Sequence, residues 1–297
     1  MQKLIIQVAL NEYVTREQNP LVPMSVQEIA QDAIDCANAG ASIVHPHPRD
    51  PKTHLTRPSD VPMYVDIAQR IRAKCDLIYY PTYGSEKRLA EQLAHVRELT
   101  AHPVGRLEAH LIGLAPVNMA SYDPKKRQFL YDEPFVSPYA EFIPFFEFCN
   151  KTGLKPFLIV YELGHVRAAL RYRDMGLLSD PLVLHLRFSD TQTFGPLPSA
   201  DGIKAYLGVV PKGVPVQWFV QVYGASHYPM NRLAIEMGGH ARVGIGEMGW
   251  RNGAPERNAK IVERIVKLAR KAGREIATTA EARKMLGMKR SLESART

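Results

Sequence analysis

Short, nearly continuous apolar runs recur along the chain, each followed by a stretch whose apolar residues return every three or four positions. The runs are Leu4–Leu10, Ser42–His47, Leu77–Pro81, Leu107–Ile112, Pro156–Tyr161, Leu182–Leu186, Val216–Val222 and Ala241–Ile245. They do not alternate apolar with polar, so they read as strands covered on both faces, the habit of a parallel sheet. Ser25-Val26-Gln27-Glu28 is a capping box that opens a helix ending at Ala39-Gly40. Ser85–Leu99 and Glu256–Ala272 carry the same helical period. Eight β-then-α units in about 250 residues is the arithmetic of a (β/α)8 TIM barrel. The expected layout is therefore one barrel domain over residues 1–297, with a basic helical extension at its C-terminus.

A doubly wound open sheet would need a glycine-rich phosphate loop after the first strand. The first strand runs instead into Asn11-Glu12-Tyr13-Val14-Thr15, and Gly238-Gly239 before the last strand has the wrong spacing. Internal repeats, low-complexity segments and linkers are absent from the sequence, and the span around Pro134–Pro144 reads as a long excursion between a strand and a helix. The composition, 45% apolar and 23% charged, is that of an ordinary globular protein. No run approaches the roughly 18 apolar residues of a membrane span, and the first residues lead directly into a strand without a signal-peptide pattern, so a cytoplasmic location is expected. Cys36, Cys75 and Cys149 form no C-x-x-C pair and read as buried free thiols.

The net charge of +8 gathers near the C-terminus, at residues such as Lys260, Arg264, Lys267, Arg270, Lys289 and Arg290. The first of these lie on an amphipathic helix with interleaved Glu and no aromatic residues, which describes a solvated face and not a nucleic-acid surface. The positive field still favours an anionic substrate.

The chemistry concentrates at the ends of the apolar runs. In His45-Pro46-His47-Pro48-Arg49-Asp50, residues two apart on a strand share a face, so His45 and His47 aim two imidazoles at one point. Arg49 has the same parity. In a barrel, catalytic groups come from the C-terminal ends of several strands. Those ends carry Asn11 and Glu12; His45, His47 and Arg49; Thr82; Glu162; His185 and Arg187; Gln221 and Tyr223; Arg242 and Glu247. Each has a plain structural alternative, such as a cap for Glu12, an ion pair for Glu162 or a core imidazole for His185. Collected at one rim they suit chemistry on a keto acid: a metal on the ketone oxygen, a guanidinium on the acid and a carboxylate as base.

These residues stand in longer segments that resemble a known family. Ala39-Gly40-Ala41-Ser42-Ile43-Val44-His45-Pro46-His47-Pro48-Arg49-Asp50, Gly164–Leu170, Gly238–Gly244, Ala254–Asn258 and Thr279–Arg283 together resemble the β-keto acid cleavage enzymes, nearly end to end. The resemblance implies a (β/α)8 barrel, a homotetramer, and a divalent metal, typically zinc. The implied reaction condenses a β-keto acid with acetyl-CoA and cleaves the adduct in a retro-Claisen manner to acetoacetate and a new acyl-CoA. It implies His45 and His47 as metal ligands and Arg242 as a participant in the chemistry.

Two departures stand out. Where the family reads Arg-Val-Gly-x-Glu-Asp, with the Glu on the metal and the Asp as acid/base group, this chain reads Arg242-Val243-Gly244-Ile245-Gly246-Glu247. Where it reads Ser-Thr-Gly-Gly, this chain reads Pro81-Thr82-Tyr83-Gly84. A family glutamate after the first strand corresponds to Glu12 only with a one-residue shift. Three outcomes are open for Glu247: it ligates the metal, it is the base beside a two-histidine metal, or cleavage is lost. Expected assignments are therefore His45, His47 and Glu247 for the metal, Arg242, Glu247 and Glu12 for catalysis, and Arg49, Thr82 and Arg187 for substrate. Two His plus oxygen ligands suit Zn, Mn, Fe or Co alike. The rivals are a metal-dependent hydrolase or aldolase on the same rim, which would act without acetyl-CoA, and an inactive metabolite-binding relative.

Overall fold

The computed structural model describes residues 1–84, 86, 88–223, 227–248 and 255–288. The barrel strands are β1 (Ile6–Ala9), β2 (Ile43–His45), β3 (Ile78–Tyr79), β4 (Ala109–Gly113), β7 (Lys155–Val160), β8 (Leu182–Ser189), β9 (Val216–Tyr223) and β10 (His240–Val243). Between β4 and β7 stands an antiparallel hairpin of β5 (Val117–Asp123) and β6 (Gln128–Phe135). The strands form one 8-stranded sheet in the order β3-β2-β1-β10-β9-β8-β7-β4, and every pairing in it is parallel. The sheet curls into a nearly closed (β/α)8 barrel, as the apolar runs anticipate. Side chains, not ladder hydrogen bonds, join its two end strands: the Gly113 N–H donates to the Tyr83 hydroxyl, and the rings of Tyr80 and Tyr83 pack on His110.

Helices between the strands form the outer layer. Among them are α1 (Val26–Ala39), α2 (Val61–Arg72), α8 (His227–Glu236) and α10 (Asn258–Lys271). The capping box at Ser25 forms as the sequence indicates, and Gly40 ends α1 in the left-handed region, φ +116. Helix α10 packs between α1 and α8, burying Ile261, Val262, Ile265 and Val266. The helix expected over Ser85–Leu99 is interrupted; it appears as α3 (Leu89–Gln92) and α4 (Ala94–Ala101), because Leu93 leaves helical geometry at φ −104, ψ 5, while Ser85 lies outside the described residues. Lys289, Arg290 and Ala254 also lie outside them. The excursion placed around Pro134–Pro144 begins earlier, at the hairpin, and Pro138 already caps α5 (Tyr139–Thr152), so the prolines mark its end. Among the described residues, no helix is long and apolar enough to cross a membrane.

The barrel interior changes character along its axis. At the N-terminal end, Ile5, Ile43, Ile78, Ala109, Phe157, Val183 and Phe219 form a dry cluster. Ala282 and Leu286 of α11 (Thr279–Met285 and its cap) join that cluster and seal the barrel floor. Two residues further along β1, β2, β3 and β8 stand Gln7, His45, Tyr80 and His185, and β10 adds Arg242, all buried and all bearing polar groups, whereas β4 and β7 keep apolar Leu111 and Ile159 there. His185 is the core imidazole of its structural alternative: it stacks 4.7 Å from the Phe219 ring, and neither ring nitrogen has a partner among the described residues. A polar layer on an apolar floor is the usual division between a catalytic face and a stability face in this fold.

Arg283 fastens α11 to the floor. Its Nε and Nη2 donate to the two carboxylate oxygens of buried Glu108 at 2.7 and 2.9 Å, and its Nη1 reaches Asp76 at 2.6 Å. Removing one partner of a buried ion pair strands the other's charge. Arg283→Met is therefore expected to cost about 3–5 kcal/mol. Adding Glu108→Gln to it should restore part of that loss in chemical denaturation.

Candidate active site

Three loops and strand ends build the site at the C-terminal mouth. Strand β2 delivers His45, and the extended Pro46-His47-Pro48 that follows keeps the two-residue parity. The two Nε2 atoms lie 3.1 Å apart. The Nδ1 of His45 lies 3.2 Å from the Tyr80 carbonyl, which only accepts, so in the neutral ring Nδ1 carries the proton and Nε2 is a bare lone pair. Tyr80 also stacks on His45, with ring centres 4.6 Å apart. Burial, followed by the neighbouring cationic groups, pushes both imidazoles well below the ordinary histidine pKa, so they stay neutral.

The third donor is Glu12. Its Oε1 lies 3.9 Å from His45 Nε2, and ligand atoms of Glu12, His45 and His47 all fall within 4.8 Å of one another. Tetrahedral zinc with Zn–N bonds of about 2.0–2.1 Å places two ligand nitrogens roughly 3.3 Å apart. The histidine pair therefore fits a divalent metal, and this donor set leaves a position open for substrate or water. Glu247 does not join this group. Its Oε1 accepts from Arg242 Nε at 2.5 Å and from Gln221 Nε2 at 3.3 Å, while its Oε2 is buried without a partner among the described residues.

Glycine explains why Glu12 can reach. A Cβ at position 246 would lie 2.6 Å from Glu12 Cγ and 3.1 Å from Glu12 Cβ. The position at which the family resemblance expects a metal-binding glutamate is thus the space through which the Glu12 side chain passes. The backbone of Glu12 is itself held at φ +36, a region costly for a residue with a Cβ. Arg49 holds it there. Its Nη2 donates to the carbonyls of Asn11, Glu12 and Val14, and its Nη1 to that of His54. Its guanidinium is spent on the loop that carries Glu12. Asn11 adds two bonds to the backbone of His47.

Arg242 is the centre of the mouth. It is 1% exposed, and its guanidinium donates to Glu247 Oε1 at 2.5 Å, to Glu12 Oε1 at 2.6 Å and to the Tyr80 hydroxyl at 2.5 Å. Burial pulls its pKa down, yet Glu247, Tyr80 and Glu12 together push it up further, so it stays charged. Burial, then the Glu247 charge, raises the Glu12 carboxyl to about 7. Arg187, buried at the end of β8, faces the rings of Tyr223 and Tyr161 at 5.0 and 6.0 Å. Thr82 sits buried at the exit of β3, its N–H bonded to the Tyr64 hydroxyl and its carbonyl to His95. Glu162 and His165 instead cap α6 (Leu163–Asp174).

Sequence patterns point to the histidines, carboxylates and arginines of this cluster but pass over Tyr80 and Gln7, whose side chains meet under Arg242. Both lie inside apolar runs, where a polar residue of inward parity was the available signal. Asn258 was visible only as part of a matching segment. It ties Leu10, Asp32 and Ile245 together and so holds β1 and the turn after β10 in place.

A (β/α)8 barrel with two histidines and a carboxylate gathered at its mouth has the architecture and donor set of a metal-assisted barrel enzyme. A family model described as beta-keto acid cleavage enzyme matches residues 3–288, and the chain belongs to that family. It is 33% identical over 298 residues to a 3-keto-5-aminohexanoate cleavage enzyme of Fusobacterium nucleatum, covering 98% of this chain and 100% of the relative. It is 25% identical to a 3,5-dioxohexanoate:acetyl-CoA acetone transferase of Paraburkholderia graminis, covering 93% of this chain and 92% of the relative. The solved structure of ObcA with oxaloacetate superposes with a TM-score of 0.65 at 17% identity, over 91% of this chain and 68% of that one, and shares the fold.

Two outcomes test the donor set. Glu12→Gln and Gly246→Ala, the latter by displacing the Glu12 side chain, should each weaken divalent-metal binding by about 100-fold. Glu247→Gln should weaken it far less, read by competition with a chelator. The two imidazoles are already neutral, so the proton displaced on binding comes from Glu12 and only below pH of about 7. Metal affinity should therefore rise with pH up to about 7 and then level off. Calorimetry in buffers of different ionisation enthalpy should find that proton in the wild type and not in Glu12→Gln.

Proposed function

We propose that the protein exchanges the acyl group of a β-keto acid with acetyl-CoA, giving acetoacetate and a new acyl-CoA, at a metal held by His45, His47 and Glu12. The observation that carries this reading is Arg242, buried between a carboxylate on the metal side and a second carboxylate with one oxygen free. Two histidines and a carboxylate with an open position make zinc the proposed ion. The bound metal would polarise the ketone and carboxylate oxygens of the substrate and so acidify the carbon between them.

Glu247 would take the C2 proton as the base of this reading; one of its oxygens is fixed by Arg242 and Gln221, and the other has no hydrogen-bond partner among the described residues. The C2 electron pair forms a bond to the acetyl carbonyl carbon, and the CoA thiolate leaves. The thiolate then adds to the C3 ketone and the C2–C3 bond breaks, returning the electron pair to C2. Glu247 gives its proton back, completing acetoacetate, while C3 departs as the thioester. Arg242 supplies a fixed positive charge beside the oxygens on which negative charge develops, without reorganisation at the moment of reaction. Burial strengthens the interactions of that charge relative to water. Homotetrameric assembly and a cytoplasmic location belong to the same reading.

Acetyl-CoA-dependent consumption of β-keto acids by the metal-loaded protein, followed by acetoacetate release, tests the proposal. Glu247→Gln should lower kcat by about 100-fold or more while leaving metal content intact. Turnover that proceeds equally without acetyl-CoA would assign a hydrolase or aldolase instead.

A further inference from the structure

The charges at the barrel mouth do not balance. Arg242 is shared by Glu12 and Glu247, and Arg49 is surrounded by carbonyl oxygens. Arg187 has neither. It is 7% exposed, it makes no ion pair with any described residue, and its Nε is buried without a hydrogen-bond partner. Its contacts are the faces of Tyr161 and Tyr223, which attract a cation but offer no hydrogen-bond acceptor along the guanidinium edge. A buried cation is costly unless an anion completes it.

Topology sets the direction. In the order β3-β2-β1-β10-β9-β8-β7-β4, strand β8 lies across the barrel from β2. A substrate whose keto acid end rests by His45, His47 and Glu12 therefore extends its far end toward Arg187. Tyr161 and Tyr223, from the ends of β7 and β9, stand on either side as apolar walls for the intervening chain.

We infer that Arg187 is a specificity residue that binds an anionic group at the far end of the keto acid, so that the preferred substrates are β-keto dicarboxylates. The planar guanidinium matches a carboxylate in two parallel hydrogen bonds. A distal carboxylate supplies the missing anion, whereas a methyl or ammonium group leaves Arg187 uncompensated or repelled. This inference rests on the keto acid reading above for which end of the substrate reacts.

The test compares 3-oxoadipate with 3-oxohexanoate, β-keto acids of equal length that differ in the distal carboxylate, on the metal-loaded protein with acetyl-CoA. A wild-type kcat/KM ratio of about 100 or more in favour of the dicarboxylate is expected, expressed mainly in KM. In Arg187→Gln the ratio should collapse toward unity, and Arg187→Lys, which keeps the charge without the fork, should recover part of it. Equal wild-type rates on the two acids, or an equal loss on both in Arg187→Gln, would overturn the inference and make Arg187 a holder of the reacting carboxylate, of CoA or of the fold. Binding of adipate and hexanoate by calorimetry separates this inference from the proposed reaction. Tighter binding of adipate that disappears in Arg187→Gln sustains the anion site even where no keto acid is turned over. Indifference to the second carboxylate rejects it even where cleavage occurs. Should the variants fail to fold, the wild-type preference alone decides.

Discussion

A guanidinium sealed from water has to be matched charge for charge, and Arg242 sets the terms for everything around it. Its three partners come from separate parts of the chain: Glu12 after β1, Tyr80 after β3 and Glu247 after β10. Arg242 therefore ties the ends of β1, β3 and β10 together at the level where the barrel interior turns from apolar to polar. Loss of Arg242 would leave two buried carboxylates without their cation, so the carboxylates are held in position by the same contacts that tie the strand ends together. A preorganised cation between two carboxylates follows from that constraint and requires no motion of the fold.

The loop after β1 is under corresponding tension. Glu12 occupies a left-handed backbone conformation at φ +36, which Arg49 stabilises with hydrogen bonds to the carbonyls on either side. Opposite it, the turn after β10 is opened by two glycines. Gly244 has φ +129, and a Cβ there would lie 2.1 Å from the Ala9 carbonyl oxygen; Gly246 leaves the channel that Glu12 fills. The two loops are complementary shapes.

Strained loops and a polar interior layer are tolerable because the other end of the barrel is ordinary. Its floor is a dry cluster of branched and aromatic side chains, capped by α11 and pinned by the Arg283 cluster. Stability gathered at the floor offsets the cost of burying Gln7, Tyr80, His185 and Arg242 above it. Arg187 differs from Arg242 and Arg49 in having neither a carboxylate nor a backbone carbonyl at hydrogen-bond distance among the described residues.

Much of this was written in the chain itself. Apolar runs separated by helical periods specify parallel strands buried on both faces, and their number specifies a barrel. The two-residue spacing of His45 and His47 specifies a pair of convergent imidazoles, because strand parity is a local property. Which carboxylate would meet them was not local. Glu247 was the natural expectation from its place after the last strand, yet a turn has no parity, and only the packed structure shows it facing Arg242 while Glu12 threads the space above Gly246. Arg49 shares the parity of the histidines, but its charge is consumed by the carbonyls of a loop more than thirty residues earlier. Sequence determined the scaffold and the donors offered at its rim, through rules that operate within a single strand or helix. Tertiary structure decided which donors converge, which charges cancel and which one is left for a ligand, because those outcomes depend on contacts between segments distant in the chain.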